Sequence, residues 1–466
     1  MSSVQQELSR GWQLHQQQKD FAQAESIYRN VLRLYPNDAN AWCYLGIVLH
    51  DQRRYQEAVD AYRDAIRLQA SFPVALNNLG NTLRYTGDIE EADACFQKAI
   101  DLKPDYLNAY KNRGTLHVWT GNLDLGLQYY EQALKLNPKE AELHRNLGVI
   151  YLLQGDFERG WKEYRWRWLV GDLHRPFKNV PVWQGGEIAG KTIVLTAEQG
   201  LGDTINFVRF AKVLQSQGAY PLVYAQTKLL PLLQQASQFG TVYPNTAGFE
   251  HPVHLQCSLL DVADYLQITE QNVPLSEAYL TSNELLSQTW KSHIEVGEPR
   301  LRIGIAWQGN PDHQADMFRS FPLSCFEEIA QLPGVELISL QQGFGSEQLA
   351  TWKASVPIKV FQGEIDSTKG TFMDTASMMQ HLDLVITSDT AIAHLGGALG
   401  VPTWIALGVV PDWRWLMHRE DSPWYQSVRL FRQSQFGDWK SVFRRMSNEV
   451  QSLVEAKLNQ HASEPG

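Results

Sequence analysis

Two different hydrophobic rhythms divide this 466-residue chain. Through the first third, apolar and small residues return at helical spacing inside a longer period. Gly46, Gly80, Gly114 and Gly148 recur every 34 residues, as do Tyr62, Phe96, Tyr130 and Tyr164 and the series Ala65, Ala99 and Ala133. Pro36, Pro104 and Pro138 share one register, with Ala70 where a further proline would fall. Each period puts a large residue and Leu-Gly, or its equivalent, on a first helix (Trp42, Leu45, Gly46) and Ala58, Tyr62 and Ala65 on a second. Glycine and alanine let antiparallel helices approach, the aromatic fills the gap, and proline closes the unit because it cannot continue a helix. The pattern predicts about four helix pairs between Gln5 and Glu140. A fifth, Ala141 to about Val170, decays into Trp161, Tyr164, Trp166 and Trp168 and reads as a cap packed on the next domain.

From Lys191 the rhythm becomes short β-branched runs separated by helical stretches. Lys191–Ala197 predicts a buried strand, Glu198–Thr204 a glycine-bearing loop, Ile205–Ser216 a helix and Pro221–Ala225 the next strand. Strand, tight loop, helix, strand is a right-handed βαβ unit with a parallel sheet. A polar segment from about Ser282 to Arg300 reads as a connection, after which Arg302–Trp307 opens a second such unit. Leu382–Thr387 predicts a strand, Ser388-Asp-Thr a polar cap, Ala391–Leu399 a helix ended by Gly400, and Pro402–Leu407 a strand. The expected domains are therefore 1–170, 171–295 and 296–466: an all-α repeat superhelix followed by two Rossmann-like α/β lobes with a ligand cleft between them.

Composition narrows the function classes. Hydrophobic residues make up 44% and charged residues 20%, ordinary for a folded protein. The net charge of −10, without any Lys/Arg run, argues against nucleic acid as a partner. Cys43, Cys95, Cys257 and Cys325 form no CxxC pair and no zinc-spaced cluster, and the polar start MSSVQQELSR lacks a signal core. The most apolar stretch, His394 to Val410, is broken by Pro402 and glycines and reads as buried helix plus strand. A cytoplasmic protein without a transmembrane segment is expected.

Three sets of residues are candidates for chemistry or recognition. Gly200-Leu-Gly202-Asp203 opens a helix at a strand's carboxyl end, where glycines admit a ligand and the helix terminus favours negative charge. Ile205 stands where a dinucleotide fingerprint needs glycine, so a nicotinamide site is disfavoured, and on pattern alone Asp203 reads more readily as a helix cap than as a catalytic group. Ser388-Asp389-Thr390-Ala391-Ile392-Ala393-His394 opens another helix, either as an ordinary capped terminus with a buried histidine or as a phosphate cradle. Asn78, Asn112 and Asn146 share one repeat position, where carboxamides would line the inner groove and pair with a peptide backbone or simply tolerate solvent. Pro411–Trp415 and Asp421–Tyr425 read chiefly as packing, with Arg414 and Arg419 as further phosphate partners, and Gln308, Gly309 and Asn310 lie at a strand end.

The 34-residue pattern resembles the tetratricopeptide repeat, and its asparagines are similar to the ladder of the eukaryotic protein O-GlcNAc transferase. Together the two helix-opening motifs, with His394-Leu-Gly-Gly-Ala-Leu-Gly-Val-Pro-Thr403, resemble the heptosyltransferase-type family of GT-B glycosyltransferases over about Lys191 to Arg445. There an Asp-Thr-Gly-x-x-His-Leu stretch cradles the donor diphosphate; Asp389, Thr390 and His394 match, and Ala391 replaces the glycine. The resemblance implies that Asp203 is a general base, that Gly202 and Ser388 border the donor, and that Arg319, in Arg319-Ser-Phe-Pro322, contacts phosphate. It further implies a nucleotide-sugar donor, a protein or glycan acceptor recruited by the repeats, and inversion at the anomeric carbon. No D-x-D pair occurs, so no essential metal and no cofactor beyond the donor are expected. A non-catalytic repeat scaffold with a degenerate nucleotide-binding domain is the alternative, and a nucleotide-binding regulator of the same fold is a third.

Overall fold

The computed structural model describes residues 3–171, 173–198, 200–248, 252–297, 300–313, 315–354, 356–361, 363, 365–367 and 369–463. The chain forms two compact units, Met1–Leu147 and Gly148–Gly466.

The first unit is built of helix pairs: α1 (Ser3–Gln13) with α2 (Phe21–Leu34), α3 (Ala39–Asp51) with α4 (Tyr55–Leu68), α5 (Pro73–Thr86) with α6 (Ile89–Leu102), and α7 (Leu107–Trp119) with α8 (Leu123–Leu136). The repeat glycines work as expected. A methyl group on Gly46 would stand 2.6 Å from the Tyr62 ring, one on Gly80 2.9 Å from Phe96, and one on Gly114 2.6 Å from Tyr130. Tyr28, Tyr62, Phe96 and Tyr130 are buried in these gaps. Asp20, Asp38 and Asn122 cap their helices by accepting from the amides of Gln23, Ala41 and Leu125. Gly114→Ala should therefore cost about 1–3 kcal/mol by overpacking, read as a lowered urea midpoint of the helical far-UV signal. An unchanged midpoint would remove this account of the repeat.

The first pair hides one register shift. Gly11 meets Tyr28 as Gly46 meets Tyr62, yet it sits one residue early in the 34-residue frame. A π-turn, Leu14–Gln18, ending at left-handed Lys19 (φ 54°), takes up the extra residue.

The second unit begins within α9 (Ala141–Leu153) and includes α10 (Phe157–Tyr164) and the 3₁₀ turn Arg165–Leu169. The division thus falls earlier than residue 170, because the aromatic end of the repeats is bonded to the α/β region. Trp161 Nε1 donates to the Ile268 carbonyl at 3.2 Å, and Arg165 holds Asp264 at 2.5 and 2.8 Å.

Two all-parallel sheets complete this unit. β1 (Thr192–Thr196), β2 (Tyr220–Ala225), β3 (Thr241–Pro244) and β4 (Leu255–Ser258) stand in the order β3-β2-β1-β4. β5 (Leu301–Ala306), β6 (Val335–Ser339), β7 (Leu384–Ser388), β8 (Thr403–Leu407) and β9 (Val428–Arg432) stand in the order β6-β5-β7-β8-β9. Strand order reverses beside β1 in the first sheet and between β5 and β7 in the second, and loops at such switch points border crevices at the strands' carboxyl ends.

Two expectations need correction. The helix expected over Ile205–Ser216 starts earlier and breaks at Val208 into Leu201–Phe207 and Arg209–Ser216. The segment Ser282–Arg300 is not a plain connection. It contains the helix Glu284–Ile294, capped by Asn283 and held to helix Met373–Met379 where Trp290 Nε1 donates to Asp374 Oδ1 at 2.9 Å. Glu298 and Pro299, like Gln199 in the first loop, lie outside the described residues. The apolar stretch after Thr390 forms helix Ala391–Leu399 and β8 as expected, and among the described residues no helix is long and apolar enough to cross a membrane.

Candidate functional site

Both helix-opening motifs sit at the carboxyl ends of switch-point strands. β1 runs into Gly200, and helix Leu201–Phe207 carries Asp203 in its first turn. The Asp203 carboxylate folds back over Gly200, where a methyl group would stand 2.7 Å from Oδ2. β7 runs into Ser388-Asp389-Thr390, and helix Ala391–Leu399 follows. The two turns touch: a methyl group on Gly202 would meet His394 Cδ2 at 2.7 Å and the Ala391 Cα at 3.5 Å. Gly202 therefore serves close approach of two helices, one from each sheet.

The capping reading fails at both motifs. Asp203 lies inside the helix and its Oδ1 accepts from Arg414 Nη2 at 2.6 Å. Neither Asp389 nor Thr390 caps the second helix through its side chain; Thr390 is extended (φ −139°, ψ −178°) and its hydroxyl donates to the Ser388 carbonyl at 3.5 Å. Among the described residues, Ser388 Oγ is buried without a hydrogen-bond partner.

Arg414 organises the charges. It is buried, it also donates through Nη1 to Asp412 Oδ1 at 2.7 Å, and its guanidinium lies 4.5 Å from the Trp413 ring centre. Burial lifts the Asp203 carboxyl above its ordinary value against the pull of Arg414, while its side chain keeps 35% of its surface exposed. Asp389 is pushed up to about 6, first by burial and then by the neighbouring charge of Asp412. Arg319 reaches the same turn: Nη1 donates to the Asp389 carbonyl at 3.1 Å and Nε to Asp316 Oδ1 at 3.1 Å. A methyl group on Gly309 would stand 2.7 Å from Arg319 Nη2, so that glycine leaves room for the guanidinium.

His394 is packed into the seam between the two turns. Its Nδ1 bonds the Tyr425 hydroxyl at 3.0 Å, its ring stacks on Trp415 with centroids 5.1 Å apart, and burial followed by the Arg414 field lowers its pKa to about 3. Trp413, Trp415, Trp424 and Tyr425 are likewise buried, so the tryptophan clusters pack. Arg419 is held by Asp421 at 2.6 Å and Glu270 at 3.0 Å.

A second buried network supports the first loop. Arg167 Nη2 donates to Glu198 Oε1 and Asp261 Oδ1, each at 2.6 Å. Trp168 Nε1 donates to Asp261 Oδ2 at 3.0 Å and Ser258 Oγ to Glu198 Oε1 at 2.5 Å. The last decayed repeat thereby fixes the residue that starts the loop to Asp203. Sequence reasoning missed this cluster. The one signal was a charged residue, Glu198, directly after a buried strand.

In the first unit, Asn78, Asn112 and Asn146 are half-buried on the first helices of successive repeats. They are partly engaged already. Asn112 Nδ2 donates to Asn77 Oδ1 at 3.0 Å, Asn77 Nδ2 to Asn78 Oδ1 at 3.3 Å, and Arg145 Nη2 to Asn146 Oδ1 at 2.9 Å.

Comparison with known proteins bears on the repeats. Tetratricopeptide-repeat family patterns match residues 13–72, 73–106 and 112–165. Protein FlbA of Caulobacter vibrioides is 26% identical over 315 residues, 63% of this chain and 52% of that protein. The chain therefore spans about half the length of this curated relative. Among solved structures, a thermophilic TPR protein of Thermus thermophilus is 19% identical, with 36% of this chain and 91% of that chain covered and a TM-score of 0.33. MamA of Desulfovibrio magneticus RS-1 is 18% identical, with 35% and 93% covered and a TM-score of 0.32. The first third of the chain is built of tetratricopeptide repeats, a scaffold suited to protein partners.

Proposed function

We propose that the second unit has the GT-B architecture and transfers a sugar from a nucleoside diphosphate to a protein or glycan acceptor that the repeats recruit. One observation carries this reading: the partly exposed Asp203 carboxylate and the side-chain-uncapped opening of helix Ala391–Leu399 meet where two parallel sheets bring their switch-point loops together. In the proposed reaction, the acceptor hydroxyl gives its proton to Asp203 while its oxygen bonds the anomeric carbon. The anomeric carbon–oxygen bond to the diphosphate breaks, and its electron pair leaves with the diphosphate. The amides opening helix Ala391–Leu399 and the Arg319 guanidinium answer the charge that builds there. Arg414 fixes the carboxylate's direction. Direct displacement inverts the anomeric centre, and no step requires a metal.

Thermal-shift screening with nucleoside diphosphates and their sugars tests the binding half. A ligand at about a hundred times its Kd stabilises the unit that binds it by about 2.7 kcal/mol, which moves its transition upward. No shift with any of them would end the transferase reading. The second reading, a repeat scaffold without catalysis, rests on the engagement of the Asp203 carboxylate by Arg414. It predicts that no donor is bound or hydrolysed.

A further inference from the structure

The fifth repeat departs from the others in what its aromatic residue does. In the earlier repeats a glycine of the first helix meets the ring of the aromatic on the second: Gly46 meets Tyr62, Gly80 meets Phe96 and Gly114 meets Tyr130. Gly148 and Tyr164 keep that spacing, but a methyl group on Gly148 would stand 2.7 Å from the Tyr164 Cα and 2.9 Å from its Cβ. Backbone fills the gap, and the ring is released from it. Helix length explains the change. α4, α6 and α8 are each 14 residues long with the aromatic near the middle, whereas α10 has 8 residues and ends on Tyr164.

The released ring joins the candidate site. Its centroid lies 6.4 Å from that of Trp413, and the Arg167 guanidinium carbon stands 4.9 Å from its centre. Arg167 is itself held by Glu198 and Asp261 at 2.6 Å, which ties the turn after Tyr164 to the loop that leads to Asp203. The charges acting on the Tyr164 hydroxyl are those of Arg167, Glu198, Arg414 and Asp203. Burial, the largest influence, pushes the phenol up to about 12, so it keeps its proton and can donate. In the fourth repeat the Tyr130 hydroxyl bonds that of Thr115 at 2.9 Å. The fifth has Val149 in the position of Thr115, and among the described residues no hydrogen bond ties the Tyr164 hydroxyl. The side chain is partly exposed, so a ligand can reach it.

We propose that Tyr164 binds the acceptor, its hydroxyl donating to an acceptor oxygen next to the one that Asp203 deprotonates, so that the last repeat completes the acceptor side of the site. This rests on the transferase reading. In that reading the donor is held by the opening of helix Ala391–Leu399 and by Arg319, groups of the second sheet, whereas Tyr164 lies on the segment that enters the first. Removing the hydroxyl therefore takes a contact from the acceptor and none from the donor.

The experiment incubates the full chain and Tyr164→Phe with radiolabelled uridine, guanosine, adenosine and thymidine diphosphate sugars. Each is offered p-nitrophenyl glycosides or Ser- and Thr-bearing peptides, and sugar transferred is measured against sugar released to water. Tyr164→Phe should lower transfer relative to hydrolysis by about three- to ten-fold, as expected for one neutral hydrogen bond, through a raised acceptor KM. The Kd of the donor should stay within about two-fold of the parent. A smaller change in the ratio, or a matching loss of donor binding, overturns the proposal and leaves the transferase reading standing. Release to water without transfer to any acceptor overturns it too, because such a site has no acceptor side to complete. No release from any donor ends the transferase reading itself. Melting temperature separates a structural role: with the ring kept, Tyr164→Phe should melt within about 4 °C of the parent, and a larger fall would make the hydroxyl a structural group and overturn the proposal.

Discussion

Asp203→Asn is expected to lower sugar transfer by roughly 10²–10⁴-fold while the chain stays folded and still binds donor. The substitution keeps the shape of the side chain and its place over Gly200, but the amide no longer takes a proton from an acceptor hydroxyl. Arg414 keeps Asp412 at 2.7 Å, so its buried charge remains answered. In the proposed reaction the donor is held by groups of the second sheet, namely the opening of helix Ala391–Leu399 and Arg319, which lies against that turn. The loss should therefore fall on kcat, with the donor's KM little changed. The raised Asp203 pKa gives the pH profile its direction: transfer should rise with pH on the acid side as the carboxylate loses its proton, at a point above the ordinary 3.8. In Asp203→Asn that acid limb should disappear. Turnover within a factor of about three of the parent would exclude Asp203 as the base.

The legibility of this chain follows the reach of each interaction. The Gly46–Tyr62 pairing and its relatives join residues a fixed short distance apart, and the 34-residue period repeats the same contact often enough to be read. The first pair was expected as well, but its glycine is out of register because the π-turn at Leu14–Gln18 displaces Gly11 by one position. β1, β7 and β8 are buried apolar runs bounded by turn residues and were expected in place. Helix Glu284–Ile294 was missed because only Trp290 and Ile294 of it are buried, although Asn283 stood before it as a capping signal. At the candidate site the two turns were visible one at a time, since each follows a strand and opens a helix. What closes them together was not. Arg414 and Asp203 are 211 residues apart, and Arg167 and Asp261 are 94 apart. No local pattern encodes partners at such separations, and a guanidinium amid tryptophans reads as packing until its carboxylates are located.

The seam itself makes a prediction in which two buried groups pull stability in opposite directions. His394 has its pKa lowered from 6.5 to about 3, so between these values the unfolded chain binds a proton that the folded chain refuses. Its contribution to stability is complete above 6.5 and is lost as pH falls towards 3. Asp389 has its pKa raised from 3.8 to about 6, so between those values the folded chain holds a proton that the unfolded chain releases. Its contribution is complete below 3.8 and is lost as pH rises to 6. Each proton is worth about 1.4 kcal/mol per pH unit. Between pH 4 and 6 the two slopes cancel, and neither shows in the parent protein. Single substitutions separate them. Relative to the parent, Asp389→Asn should gain stability with rising pH across this window and His394→Gln should lose it, each by about 2–3 kcal/mol over two units. Urea midpoints of the second unit at pH 4, 5 and 6, followed by tryptophan fluorescence, measure both slopes, because Trp413, Trp415 and Trp424 are buried within that unit. Slopes of the same sign in the two variants would mean that the histidine and the aspartate are not both sealed in the seam. The close contact of Gly202 with His394, on which the transfer reading also depends, would then have to be abandoned.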